Sequence, residues 1–186
     1  MNTSGRQPRM NKWEGQVETH VLKDAIQKSS DAARSKIFDK ARDVRSEHWK
    51  TNKAFMARVI PIFEALLNAS GEEPYHRIYG QLGYALKDKS PPDWEQAQNL
   101  LTMAIQARNK LGSRGFRNYE FCRAVCAINR DDSDAQTASE YLDIVLSDLR
   151  AASGTKWFEH RLEDMEDVKQ WLARNHISSG DLKTKS

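Results

Sequence analysis

Six positions between Tyr79 and Ala104 come back further along the chain in the same order. Tyr79, Leu82 and Leu86 are followed forty residues on by Tyr119, Cys122 and Cys126, and Ala97, Leu101 and Ala104 forty-one residues on by Ala138, Leu142 and Val145. Within each set the spacings are threes and fours, the signature of one helix face. A helix pair that repeats cannot bury its apolar side alone, so successive pairs must stack. Gly80 and Gly83 lie inside the first of these helices. A mid-helix glycine costs about 1 kcal/mol against alanine, so the two predict close approach of the second helix of the pair to the first.

The remainder of the chain fits around this repeat. No segment alternates with period two over a useful length, so no strand is expected. Residues 51–69 carry Phe55, Met56, Val59, Ile60, Ile62, Phe63, Leu66 and Leu67 around most of a helix, which predicts a buried central element. Pro61 lies inside that pattern and predicts a kink or a restart. Upstream, residues 15–50 read as a polar amphipathic helix or helix pair with a narrow stripe at Val17, Val21, Leu22, Ala25, Ile26, Ala33, Ile37, Ala41 and Val44. Ser30 or Asp31 is placed to cap a second helix. Such a stripe packs on the body of the protein or mediates self-association with a second copy. Pro74 is expected to open a helix reaching Lys87. Asp93 with Gln96, and Ser133 with Gln136, resemble capping boxes for the second helix of each pair. A last helix over 156–175 has Phe158, Leu162, Met165, Val168 and Leu172 on one face and five acidic residues on the other, as a terminal capping helix should. Residues 1–14 and 176–186 read as a disordered basic arm and a disordered tail. The expected fold is therefore all-α: stacked antiparallel helical hairpins over 51–175, with an N-terminal helical arm.

The stretch Tyr79-Gly80-Gln81-Leu82-Gly83-Tyr84-Ala85-Leu86, followed by Ala97, Leu101 and Ala104, resembles the tetratricopeptide repeat family. The resemblance covers about residues 75–150. The sequence departs from the family pattern in a longer hairpin loop at Ser90-Pro91-Pro92, an absent terminating proline, and Arg123 where a glycine is expected. The resemblance implies a scaffold that displays a concave helical surface to a protein or peptide. On that implication the groove-facing side of 75–87 and 115–129 is the expected binding surface, with Arg77, Tyr84, Arg117 and Arg123 as contacts.

Charge and composition leave a second reading. Residues 1–58 carry 13 Lys/Arg against 7 Asp/Glu, residues 59–132 balance, and residues 133–186 are net −3. A basic front can hold nucleic acid. Arg42 and His48 have the spacing of the Arg and His in HEPN-family ribonucleases, where an Arg would hold a phosphate and a His would move a proton. Acidic residues are interleaved with the basic ones, however, and Asp39 and Asp43 are placed for helix-face ion pairs. His160, Glu163 and Glu166 share a helix side, but no second ligand cluster supports a metal. No cofactor motif is present. Cys122 and Cys126, four apart on one helix face, are poorly placed for a disulfide and read as buried apolar residues. That suits a cytoplasmic protein, and no apolar run is long enough to cross a bilayer. The functional expectation is a protein–protein adaptor or regulatory subunit without catalytic activity. The alternative is a nucleic-acid-binding or RNA-cleaving helical protein using Arg42 and His48.

Overall fold

The computed structural model describes residues 19–72, 74–113, 115–130 and 138–183, with side chains from 141 onward in the last segment. The N-terminal arm and the capping pair Ser133 and Gln136 lie outside the described residues. Every regular element among the described residues is a helix. In chain order they are α1 (Thr19–Gln27), α2 (Asp31–His48), α3 (Lys53–Ala69), α4 (His76–Asp88), α5 (Trp94–Lys110), α6 (Asn118–Asn129), α7 (Ala138–Ser153), α8 (Phe158–Glu163), α9 (Glu166–Arg174) and α10 (Ser179–Leu182).

The polar N-terminal region is two helices, split at Ser30. The Ser30 hydroxyl accepts from the Ala33 N–H at 3.3 Å and satisfies one of the orphan donors of the first turn of α2. Both α1 and α2 pack on α3 within the same chain. Their apolar stripe is buried at Ile26 and Ala41, and at Phe38, which meets Phe63 of α3 edge-on at 6.0 Å between ring centroids. Phe38 widens the expected stripe, whose Leu22, Ile37 and Val44 are partly buried against the same core. Helix α3 runs unbroken through Pro61, with no restart. Proline cannot give the N–H that would bond to the Ala57 carbonyl. Burial of Met56, Val59, Phe63 and Leu66 on either side holds the helix through the gap.

Helices α3 to α7 each pack on the next one along the chain, as short connections between antiparallel neighbours require. Gln81 to Asp88 of α4 are all buried, which makes α4 the centre of the molecule. The two glycines of α4 do different work. A Cβ on Gly83 would lie 2.9 Å from Leu101 Cγ and 3.3 Å from the Ala97 carbonyl oxygen, so this glycine closes the α4–α5 pair. A Cβ on Gly80 would lie 2.2 Å from Tyr119 Cε1, so this one lets α6 approach, the first helix of the next pair. Helix α4 starts at His76, two residues after Pro74. Helix α5 is capped by Asp93, whose carboxylate accepts from the Gln96 N–H at 3.1 Å.

The expected last helix is broken in two. Met165 has ψ near 85°, so the backbone leaves the helix after α8 and re-enters it at α9. Leu162, Met165, Val168 and Leu172 keep their threes and fours across the break, which is why periodicity does not reveal it. Part of the polar tail is also ordered. The hydroxyl of Ser178 and the carboxylate of Asp181 form a reciprocal cap, and Leu182 is fully buried. Helix α10 packs on α7, where the Ser153 hydroxyl donates to the Leu182 carbonyl at 2.9 Å.

Candidate functional site

The four residues expected at a binding surface fall in three different places. Arg77 and Arg117 flank one end of the helix stack, where α4 and α6 both begin. Aromatic residues crowd this edge. The His76 ring lies 4.7 Å from Tyr75 and 5.0 Å from Phe116, and the Phe116 ring stacks on Tyr119 at 6.0 Å. His76 itself is buried, and its Nδ1 shares a 2.9 Å hydrogen bond with the Tyr119 hydroxyl. Burial first, then the charges of Arg77 and Arg108, hold His76 below the usual imidazole value, so it stays neutral beside them. Tyr75 and Phe116 remain 47% and 46% exposed. Phe116 also has φ near 60°, a left-handed conformation that bulky residues rarely adopt. The Arg77 guanidinium lies over Phe116 at 5.5 Å and over Phe38 at 5.8 Å. Arg117 donates to Glu120 at 2.8 Å and is about one-third exposed.

Glu120 is the anchor behind that edge. Arg108, only 1% exposed, gives it two parallel hydrogen bonds of 2.7 and 2.9 Å and so ties α5 to α6. Burial pushes the Glu120 carboxyl up, but the donors from Arg108, the backbone and Arg117 outweigh it and hold it below the usual carboxylate value. The pair is fully charged and geometrically complete.

Arg123 has a similar structural task one hairpin further on. It makes two 2.8 Å hydrogen bonds to Asp148 of α7 and one of 3.1 Å to the Thr102 hydroxyl of α5. Hydrogen bonding to Asp148 raises its pKa against the opposing effect of burial. The long side chain of Arg123 thus braces α6 against both α5 and α7.

Tyr84 is an interior residue, 5% exposed. The groove face of α4 and α6 is covered by the chain itself, because the end of α2 and the start of α8 reach across it. Arg45 of α2 lies over the Tyr84 ring at 4.9 Å and donates to Gln81 Oε1 at 2.6 Å. Arg161 of α8 stacks on Trp49 at 4.7 Å. Between them lies a narrow pocket lined also by Lys87, Asp88, Asn118, Phe121, Cys122 and Met165. The space admits about one water molecule, near 10 Å³. Lys87, 7% exposed, pairs with Asp88, and Arg45 reaches the same carboxylate only at 3.9 Å. Burial by itself would lower Lys87; the Asp88 carboxylate more than offsets it, and the ammonium stays charged. Burial pushes the Cys122 thiol up despite the surrounding cations, so it adds no negative charge. Nothing in the local sequence reveals this pocket. Its charged residues come from three helices far apart in the chain, and Lys87-Asp88-Lys89 reads in isolation as a solvated helix end.

The alternative ribonuclease residues are not brought together. Six residues apart on α2, Arg42 and His48 point about 120° apart around the axis. Arg42 is paired at 2.8 Å with both Asp39 and Asp43, and the hydrogen bond it donates to Asp43 raises its pKa. His48 stacks on Phe55 at 4.4 Å. His160 and Glu163 are exposed and 3.8 Å apart, while Glu166, across the break, pairs with Lys169. Among the described residues no group of three or more His, Cys, Asp or Glu side chains is arranged to hold a metal ion. Cys122 and Cys126 are buried free thiols, and no described helix is long and apolar enough to cross a membrane. No protein-family model, curated protein or solved structure matches the chain.

Proposed function

We propose that the chain is a protein-recognition module, an adaptor or regulatory subunit of a cytoplasmic complex, that docks an acidic segment of a partner protein. The docking edge is Tyr75, Arg77, Phe116 and Arg117 rather than the covered groove at Tyr84. The observation that carries this reading is Phe116: a half-exposed aromatic ring held in a strained backbone conformation, with an arginine over its face. Strain of this kind persists only where surrounding structure over-determines it, and it concentrates at binding sites. Tyrosine, phenylalanine and arginine are the residue types that anchor protein interfaces. The repeat in the sequence and the serial packing of α4 to α7 support a tetratricopeptide-like scaffold.

The test is affinity purification of tagged wild-type protein and of a Phe116→Ala/Arg77→Glu variant from the native cells. A partner recovered in stoichiometric amount by the wild type, resistant to nuclease and lost with the edge variant, is the expected result. Recovery of nucleic acid that disappears with nuclease or modest salt would overturn it in favour of the Arg42 and His48 reading. Equal recovery by both proteins would remove the edge from the account.

A further inference from the structure

The pocket beneath Trp49 holds more positive charge than its own residues neutralise. Arg45, Lys87 and Arg161 face one carboxylate, Asp88. At the rim the exposed Asp164 carboxylate pairs with Lys50 and also lies within electrostatic reach of Arg161, which still leaves Arg45, Lys50, Lys87 and Arg161 facing two carboxylates. Every buried polar side-chain atom among the described residues has a hydrogen-bond partner, so the imbalance is one of charge and not of hydrogen bonds. Arg45 shows it most clearly. Its short partner is a neutral amide oxygen, at 2.6 Å from Gln81, while the only carboxylate within reach is already taken by Lys87.

Burying a second and third cation around one anion is unfavourable unless something else supplies negative charge. We infer that this pocket is a binding site for a small phosphate-type oxyanion, free phosphate or a phosphomonoester, gripped by Arg45, Lys87 and Arg161 against Trp49. Two guanidiniums offer planar forks matched to tetrahedral oxyanions, and an ammonium adds a point charge. Arg161 is the gate. It is half-buried, stacks on Trp49, lies within electrostatic reach of the exposed Asp164 carboxylate, and forms part of the pocket wall. To admit the oxyanion, Arg161 would turn from the Trp49 ring to the ligand and widen a space that otherwise admits about one water, near 10 Å³. The inference does not rest on the docking edge: the pocket takes Tyr84, Lys87 and Asp88 from the far part of α4, and Asn118, Phe121 and Cys122 from the start of α6, whereas the edge is formed by Tyr75, Arg77, Phe116 and Arg117.

The experiment is a titration of the full chain with inorganic phosphate at constant ionic strength. It is followed by indole N–H resonances, with Trp49 assigned through Trp49→Phe, and by calorimetry. The expected result is a saturable shift of the Trp49 indole and not of the four other tryptophans. Affinity should fall at least tenfold in Arg161→Gln and in Lys87→Met and be kept in Lys23→Gln, an exposed site on α1. A parallel titration with glycerol phosphate separates the two sources. Equal affinity assigns the site to the phosphoryl group itself, and tighter binding of the ester assigns it to a phosphomonoester. No saturable shift at Trp49, or the same affinity in Arg161→Gln, would overturn the proposal. Because the Trp49 readout is made on a pocket with all its cations present, it stands even if Lys87→Met fails to fold.

Discussion

Two of the charge clusters that the molecule buries are built on different terms. At one end of the stack Arg108 and Glu120 match one guanidinium to one carboxylate with two short hydrogen bonds, and Arg117 joins from the surface. At the C-terminal end of α4 Lys87 and Arg45 share Asp88, with Arg161 close by. The first cluster is complete without help, and it fixes the register of α5 against α6. The second is held together by packing and stacking around a charge surplus. A buried pair is costly to break but gives little net stability. Completeness therefore points to a structural part, and surplus to a place where something binds.

Breaking each cluster at its anion should have the largest effect. Glu120→Gln leaves the fully buried Arg108 guanidinium unpaired, and a loss of about 3–5 kcal/mol is expected in chemical denaturation. Asp88→Asn should cost a similar amount, since two buried cations then face each other. The comparison sharpens when a cation is removed instead. Lys87→Met should cost less than Arg108→Met, because Arg45 is largely buried beside Asp88 and can take over its charge, whereas Arg117, which remains on Glu120, is about one-third exposed and does not fill the space of the buried Arg108. Equal losses for the two would end the distinction drawn here.

Gly80→Ala should fall between these. It places a methyl group within 2.2 Å of the Tyr119 ring, on the helices that carry Asp88 and Glu120, and overpacking of this kind costs about 1–3 kcal/mol. Part of that loss should be recovered in Gly80→Ala/Tyr119→Leu, which a double-mutant cycle would show as non-additivity.

The complete cluster also has a signature in pH. His76 is held below its ordinary value of 6.5 by burial, Arg77 and Arg108. Below that value the unfolded chain takes up a proton that the folded chain refuses. Stability should therefore fall as pH drops from 7 towards the folded-state pKa. Thermal melts of wild type and His76→Asn across pH 7 to 5 should diverge, with the wild type losing more. The smallest effect is expected at Arg42→Ala. Its partners sit in water on one exposed helix face, so the melting midpoint should stay where it is.

Much of this architecture is legible in residue spacing. The spacing of Leu82, Leu86, Ala97 and Leu101 predicts the central pair, and Ser30 and Asp93 mark the starts of α2 and α5. Spacing fails where a break preserves the apolar rhythm, as at Met165 between α8 and α9. It fails again where one buried leucine, Leu182, is enough to fasten a polar tail. The candidate site is harder to read than the fold. Arg77 and Arg117 do lie at an exposed edge, but Tyr84 and Arg123 turn inward for reasons held elsewhere: Arg45 on α2, and Asp148 on α7. No local pattern links residues that far apart, so the charge surplus at Lys87 is visible only in three dimensions.

The contact between Gly80 and Tyr119 reaches beyond one chain. An aromatic ring rests in the hollow left by a missing side chain, thirty-nine residues earlier. Any lineage that enlarges the first position must shrink the second, so across descendants of this fold the two positions should vary as a linked pair. Their history would be that of a single character written at two places in the gene.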